Sequence, residues 1–218
     1  KTPRPLWDNV FAFAPNRQTL GGTSYFIVRK FGNILIDCPA WDETHQNFIQ
    51  TQGGINQIII THRGGMGKQV KQMQKDLACQ VIIQEQEAYL LPEVSVITFE
   101  QKLDLASDIE IIWTPGHSPG SSCIYWRQKG GILLTGRHLL PTSPHTFMPL
   151  RTAKTFHWRR QLASLEKLRD RFSADNLAYI LPGANTGCLR GKGYIAAAGA
   201  KLQQLEINSL PQDFSSIL

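Results

Sequence analysis

Short apolar runs alternate with polar and glycine-rich turns along most of this 218-residue chain. Apolar runs of this kind, bounded by turn residues, are typical of β-strands. Two glycine-containing stretches, Phe31-Gly32-Asn33 and Lys129-Gly130-Gly131, have the composition of hairpin turns. The sequence predicts strands at residues 23–28, 33–37, 57–61, 79–84, 94–99, 109–113, 122–127, 132–135 and 177–181.

Segments with helical periodicity lie between and after these strands. The clearest is 155–171, where Trp158, Leu162, Leu165 and Leu168 recur at helical spacing and basic residues occupy the other faces. Further helices are predicted at 42–52, 68–77 and 194–207. Each half of the chain is rich in strands and ends in a helix. We therefore predict an α/β fold, a four-layer αββα sandwich, formed by a single domain of residues 1–218.

The composition adds few constraints. Hydrophobic residues make up 42% of the chain and charged residues 18%, as in ordinary globular proteins. No apolar run reaches the ~18 residues of a membrane span, so we expect no membrane association. Four scattered cysteines (Cys38, Cys79, Cys123 and Cys188) without a CxxC pair favour reduced thiols. We expect a cytoplasmic location, or a stroma-like reducing compartment if a targeting segment preceded Lys1.

The positive charge is unevenly distributed. The chain has a net charge of +6, and residues 151–192 alone hold nine basic and three acidic residues. Such a segment can attract nucleic acid or other anions, and its aromatic residues Phe156, Trp158 and Phe172 could stack on bases. A solvated helix face with these aromatics in the core is the simpler interpretation, so we do not expect nucleic acid as the main partner.

Four segments carry the residues that bear on function, and each follows an apolar run. They are Thr61-His62-Arg63-Gly64-Gly65-Met66-Gly67, Thr114-Pro115-Gly116-His117-Ser118-Pro119-Gly120-Ser121, Leu133-Leu134-Thr135-Gly136-Arg137 and Leu181-Pro182-Gly183-Ala184-Asn185. Their order and local chemistry resemble the metallo-β-lactamase-fold superfamily, which includes glyoxalase II-like hydrolases. Residues 22–25 and 34–38 likewise resemble its opening strands and their buried aspartate, here Asp37. The resemblance covers nearly the whole chain.

The resemblance implies a two-metal hydrolytic site, but most of the ligand positions hold other residues. His62 and His117 occupy two of these positions. The replacements are Gly64 and Gly67 for histidines, Met66 for an aspartate, Arg137 for the bridging aspartate and Ala184 for the last histidine. Because a catalytic zinc needs about three protein ligands and an open position, we predict that two-metal hydrolysis is lost.

His62 and His117 leave an alternative open, a divergent single-metal hydrolase of an ester, thioester or phosphoester. Zinc or another divalent metal would then occupy a weak site, with a third ligand from His138, Cys123, His145 or His157. His138 would have to turn inward, since it adjoins Arg137 and neighbouring strand residues point to opposite faces. A serine-hydrolase pair of Ser118 and His117 lacks a third group to orient it.

The replacements also suggest an anion-binding cleft. A glycine-rich turn before a helix exposes backbone N–H groups that suit an anion. The candidate residues are Arg63, Gly64, Gly65, Gly67, Lys68 and Arg137. We thus predict a protein without two-metal activity and without a required cofactor, whose cleft binds a small anion or a protein partner. If the cleft binds no ligand, we expect the glycines to close an empty cleft and Arg137 to face solvent or to pair with Asp37. Whether the chain is an enzyme stays undecided by its sequence.

Overall fold

The computed structural model describes residues 1–210 and contains two large β-sheets. The predicted domain of residues 1–218 extends into residues 211–218, which lie outside this range. The first sheet has seven strands in chain order, and they are β1 (Arg4–Trp7), β2 (Val10–Ala12), β3 (Tyr25–Ile27), β4 (Ile34–Ile36), β5 (Gln57–Ile60), β6 (Gln80–Gln84) and β7 (Val96–Phe99). Strands β1 to β4 pair antiparallel and β4 to β7 parallel, so β4 to β7 end at the same edge.

The second half of the chain supplies the other strands. They are β8 (Lys102–Ala106), β9 (Ile109–Trp113), β10 (Ser122–Trp126), β11 (Ile132–Gly136), β12 (Leu140–Pro141), β13 (Phe147–Met148), β14 (Tyr179–Pro182) and β15 (Ile195–Ala196). The second large sheet has the order β15-β14-β11-β10-β9-β8, and β12 pairs with β13 alone. Because β11 and β14 are parallel, their carboxyl ends also share one edge.

Side-chain alternation divides the buried residues into three apolar layers. In β5, Ile59 packs between the two sheets, whereas Ile58 and Ile60 face the helices outside the first sheet. In β11, Leu134 packs between the sheets and Leu133 faces the helices outside the second. The predicted four-layer αββα arrangement is confirmed.

The helices cover the outer faces of the sheets. They are α1 (Glu43–Thr51), α2 (Val70–Leu77), α3 (Trp158–Arg171) and α4 (Ala198–Gln203). Asp42 caps α1, where its Oδ1 accepts a 2.9 Å hydrogen bond from His45 N. The apolar stripe of α3 is buried as its periodicity predicts, with Leu165 and Leu168 at most 1% exposed.

The structure corrects two predictions from the sequence. The predicted helix 194–207 is a short strand, β15, followed by the six residues of α4, because Ala197 adopts a left-handed φ of +53° between them. Helix α3 begins at Trp158 rather than at residue 155, and His157 caps it by accepting a hydrogen bond from Arg160 N. Residues 155–157 therefore belong to the preceding loop.

Several strands had no clear sequence signal. β8 lies at the open edge of the second sheet, and its exposed Lys102 and Asp104 interrupt the apolar pattern. β1 contains Pro5, which edge strands tolerate. Both predicted hairpins are confirmed, since β3 pairs with β4 and β10 with β11 in antiparallel register. Among residues 1–210 we find no helix with the length and apolarity to cross a bilayer.

Candidate functional site

The four loop segments singled out in the sequence meet at one edge of the sandwich. Ser122 N donates a 2.8 Å hydrogen bond to Thr61 O, which joins the two sheets. Gly183 N donates to Gly136 O at 2.6 Å, within the second sheet. Gly136 has φ +51°, and a side chain at this position would meet Thr61 Oγ1 at 2.5 Å. Glycines thus stand where the segments approach each other most closely.

Asp37 is a buried support of this edge. It follows β4 with a left-handed φ of +56°. Its Oδ1 accepts a 2.8 Å hydrogen bond from Thr61 N, and its Oδ2 accepts a 2.6 Å bond from Thr61 Oγ1. Burial raises the pKa of Asp37 to about 6, although these bonds and Arg137 act in the opposite direction. Gly65 packs on the carboxylate so closely that a Cβ would overlap Asp37 Oδ1.

The hydrogen bonds of Asp37 fix the tautomer of His62. When Asp37 is ionised, the Thr61 hydroxyl donates its one hydrogen to it, so Thr61 Oγ1 accepts from His62 Nδ1 at 2.9 Å. Nε2 of His62 therefore carries a lone pair, and it is buried without a protein partner. Burial, with His117 and Arg137, lowers the pKa of His62 well below its usual range. Such a chain of bonds is the support that orients a metal-binding histidine.

His117 lies beside His62, with ring centroids 5.4 Å apart and ring planes at 71°. Its loop approaches the backbone of α3 at Gly116, where φ is +147° and a Cβ would overlap the helix. Burial, followed by the positive charges of Arg137 and Arg63, lowers the pKa of His117 to about 4. At neutral pH the centre therefore holds two uncharged imidazoles.

Arg137 brings a permanent positive charge to the same centre. Its Nη2 donates hydrogen bonds to the carbonyl oxygens of Thr19 at 3.0 Å and Leu20 at 2.7 Å. Its charge helps to lower the pKa of both histidines, and it opposes the rise that burial causes in the pKa of Asp37. The sequence left two alternatives for Arg137, exposure to solvent or pairing with Asp37. Neither describes its bonding, because the guanidinium is hydrogen-bonded to the loop between β2 and β3.

The other two predicted cations are placed differently. Arg63 Nε donates to Glu87 Oε1 at 3.1 Å, so a buried carboxylate offsets its charge. Lys68 is exposed in the loop before α2, among residues that include Lys71 and Glu93. Of the three cations, Arg63 is the one with a carboxylate hydrogen-bonded to it in the described part of the chain, whereas Arg137 is bonded to backbone carbonyls.

The glycine-rich turn makes backbone hydrogen bonds and close contacts that its sequence did not predict. Gly65 N donates to His62 O, and Gly65 O accepts from Cys38 N, so both of its backbone groups are used. A Cβ at Gly64 would lie 3.1 Å from His62 Nε2, and Gly67 has a left-handed φ of +62°. The turn is shaped by its fit to the neighbouring loops, and an anion-binding role for its N–H groups remains a prediction.

Two further positions from the sequence can be placed. Ala184, where the resemblance expects the last histidine, is buried with 4% exposure. Ser118 Oγ lies 3.0 Å from Ser121 Oγ, with which it shares a hydrogen bond, so its hydroxyl is engaged by a second serine. This bond gives no support to a serine-hydrolase pair with His117.

The four proposed third ligands do not complete a metal site. His138 does turn inward, because β11 ends at Gly136 and the chain then turns, and both of its ring nitrogens are buried without a partner. Cys123 belongs to the core, and His145 and His157 are exposed. Within residues 1–210 no group of three His, Cys, Asp or Glu side chains is placed to hold a metal ion. The described residues therefore do not fit the two-metal centre that the resemblance implies.

Glu87 and Gln161 contribute to the site without having been predicted. The Glu87 side chain is fully buried, its Oε2 has no protein partner, and it packs against Gly120. Gln161 on α3 donates from Nε2 to His138 O at 3.1 Å, while its Oε1 is unpartnered. Gln161 could have been found in the sequence, because it is a polar residue on the apolar face of a predicted helix. Glu87 could not, because its sequence context is that of a surface residue.

Comparisons with solved structures find similar folds in metallo-β-lactamases, a di-iron-bound protein and a lactone hydrolase. The DIM-1 metallo-β-lactamase exposed to ceftazidime has a TM-score of 0.70 and 14% identity, covering 97% of this chain and 99% of its own. The protein TTHA1623, solved in a di-iron-bound form, has a TM-score of 0.65 and 18% identity, covering 82% of this chain and 91% of its own. A quorum-quenching N-acyl homoserine lactone hydrolase has a TM-score of 0.61 and 16% identity, covering 84% and 93%.

Sequence comparisons give no corresponding match. No family model matches the chain, and no curated protein matches it. The TM-scores of 0.61 to 0.70 establish a shared fold, and at identities of 14% to 18% the activity has to be argued from the site.

Proposed function

We propose that this chain, which has the metallo-β-lactamase fold, lacks two-metal hydrolase activity and binds a small anionic group or a protein partner in its cleft. The observation that carries the proposal is the position of Arg137. Its guanidinium is held by two backbone carbonyls and acts electrostatically on His62, His117 and Asp37. A fixed cation beside the two remaining imidazoles opposes the binding of a metal cation there.

The charges around Arg137 favour a ligand with a single negative charge. Two backbone carbonyls engage one Nη atom, and its Nε is buried without a partner. Asp37 and Glu87 lie behind the site, so a strongly charged anion would meet repulsion from both carboxylates. A carboxylate group, on a small molecule or a protein partner, matches the fork of a guanidinium.

The first test measures metal content and hydrolysis together. Protein expressed with added zinc, iron and manganese, and purified without a metal-binding tag, is expected to hold near zero equivalents of metal. Chromogenic ester, thioester and phosphoester substrates are expected to show no chelator-sensitive turnover. Stoichiometric metal with such turnover would contradict the proposal.

The second test concerns the anion. Calorimetric titrations with acetate, sulfate and inorganic phosphate are compared for the wild type, Arg137→Ala and Lys75→Ala, with circular dichroism to confirm folding. We expect Arg137→Ala to abolish the strongest binding, while Lys75→Ala, which removes an exposed lysine on α2, leaves it unchanged. Equal affinity of Arg137→Ala and wild type for every anion that binds would exclude the anion cleft.

A second candidate function rests on the hydrogen bonds of His62. Asp37 and Thr61 leave its Nε2 lone pair free next to His117, as a single-metal hydrolase would require. This candidate predicts about one equivalent of zinc or another divalent metal, lost in His62→Ala and in His117→Ala. The exposed His145 gives the control, because His145→Ala should retain the metal.

A further inference from the structure

The loops around the candidate site carry a strong excess of positive charge. Residues 14–23, 62–69, 114–121, 136–160 and 183–193 contain ten basic residues and no acidic one. The remainder of the chain holds 13 basic and 17 acidic residues, so the positive charge is concentrated in these loops. A separation of charge on this scale produces a field that attracts polyanions.

Hydrogen bonds show that these loops are neighbours. Phe156 N donates to His117 O at 3.0 Å, which joins the loop before α3 to the loop after β9. Thr23 N donates to Gly183 O at 2.8 Å, and the hydroxyls of Thr23 and Thr186 share a bond of 3.0 Å. Arg137 connects the segment after β11 to the loop that contains Leu20. The basic residues therefore surround one edge of the sandwich.

We define the basic face as six exposed members of this group that form no ion pair with a carboxylate among the described residues, together with one aromatic ring. They are Arg17, Lys154, Phe156, Arg159, Arg160, Arg190 and Lys192. Arg63 is left out because buried Glu87 offsets its charge, and Lys68 because it lines a depression together with the acidic Glu93. Acidic residues at the same end, such as Asp42, Glu85 and Glu100, lie on the loops after β4, β6 and β7.

Phe156 distinguishes among polyanions. Trp158 and Phe172 are buried as the periodicity of the segment predicts, but Phe156 is 52% exposed. An exposed aromatic ring that lies in the chain between Lys154 and Arg159 suits the stacking of a nucleobase between phosphate contacts. Acidic proteins and phosphate-only polymers offer no base to stack. Arginine also predominates on the face, and its planar fork matches phosphate geometry.

We infer that the basic face binds single-stranded nucleic acid, with phosphates at its arginines and lysines and a base on Phe156. This surface does not include Arg137, so the inference is independent of the anion cleft proposed above. The inference concerns binding and not hydrolysis of the nucleic acid, since the described residues do not fit a two-metal centre.

Fluorescence anisotropy with a labelled 20-nucleotide single-stranded RNA and the matching DNA tests the inference. The triple variant Lys154→Gln/Arg159→Gln/Arg160→Gln should bind at least tenfold more weakly at 0.1 M salt. The slope of log K against log salt should become less steep by about 2, because each of the three lost phosphate contacts accounts for roughly 0.7. The control Lys30→Gln/Lys71→Gln/Lys75→Gln removes the same charge from other surfaces and should bind as the wild type does.

Phe156→Ala separates base stacking from charge. It should weaken oligonucleotide binding about fivefold or more, as expected for a lost stacking contact, and leave binding to inorganic polyphosphate unchanged. Equal oligonucleotide affinity for Phe156→Ala and wild type would overturn the inference. Equal losses in the triple variant and its charge-matched control would overturn it too, as would equally tight binding of polyglutamate. Circular dichroism and urea unfolding confirm that the variants remain folded.

Discussion

Replacing Thr61 by valine tests the chain of hydrogen bonds beneath His62. Valine keeps the shape of the side chain and the backbone N–H that donates to Asp37 Oδ1, but it removes the hydroxyl. Two bonds are lost, the 2.6 Å bond to a buried carboxylate and the 2.9 Å bond to His62 Nδ1. A hydrogen bond to a charged group contributes about 1.5–3 kcal/mol, so we expect about 2–4 kcal/mol of lost stability at pH 8.

The pH dependence of this loss identifies its cause. Burial raises the pKa of Asp37 to about 6, so the folded protein takes up a proton on Asp37 as the pH falls through that value. In the variant the ionised carboxylate has one donor fewer, which raises the pKa of Asp37 further. The penalty of Thr61→Val should therefore be largest above pH 7. At pH 5, where Asp37 is mostly protonated in both proteins, it should shrink to about 1 kcal/mol, typical of a neutral hydrogen bond.

Urea unfolding at pH 8 and pH 5, followed by tryptophan fluorescence, measures both values. Thr61→Ser retains the hydroxyl and serves as the control, with an expected loss of about 1 kcal/mol or less at either pH, from one buried methyl group. An equal loss for Thr61→Val at the two pH values would refute the assigned role of the ionised carboxylate. So would equal losses for the valine and serine variants.

Three further predictions concern packing and pH. Gly116→Ala should destabilise the protein by several kcal/mol in urea unfolding, since the residue has φ +147° and a Cβ would overlap the backbone of α3; a loss below about 1 kcal/mol would contradict this geometry. Thermal unfolding from pH 7 to 4.5 should show stability falling below pH 6.5, because burial lowers the pKa of His117 to about 4 and of His138 to about 3, so the unfolded chain binds more protons in this range. Each histidine contributes up to about 1.4 kcal/mol per pH unit, His62 included because its pKa is lowered too, and Asp37, whose pKa is raised, offsets part of this between about pH 6 and 4; removing the His117 and His138 imidazoles should reduce the slope and leave the contribution of His62. Leu165→Ala, at a fully buried position of α3, should cost about 2–5 kcal/mol by chemical denaturation, and a smaller value would mean that the helix repacks.

Periodicity predicted the interior strands because their burial leaves little choice of residue. β5 and β6 are runs of isoleucine and valine with buried faces on both sides, and their predicted and observed bounds differ by at most one residue. β8 was missed because an edge strand with Lys102 and Asp104 facing solvent has the composition of a loop. The helix predicted at 194–207 failed at Ala197, whose left-handed backbone has no signal in an alanine side chain.

The candidate site was predicted in part, for similar reasons. The order of the four segments and the inward position of His62 and His117 followed from loops at strand ends. The bonds of Arg137 to Thr19 O and Leu20 O could not be predicted, because carbonyl groups are present at every residue. The exposure of Phe156 depended on where α3 begins, and a capping histidine is a weak signal for that.

The bonds of Arg137 have a consequence for how the two halves of the molecule are joined. The residue follows β11 in the second sheet, and its carbonyl partners lie in the loop between β2 and β3 of the first. A metal coordinated by His62 and His117 would connect the same two halves, since these histidines follow strands of different sheets. In this chain the side chain of Arg137 joins the two halves by hydrogen bonds, without a metal. We therefore expect its folding to be indifferent to metal supply, so that growth in metal-depleted medium would leave the yield of folded protein unchanged.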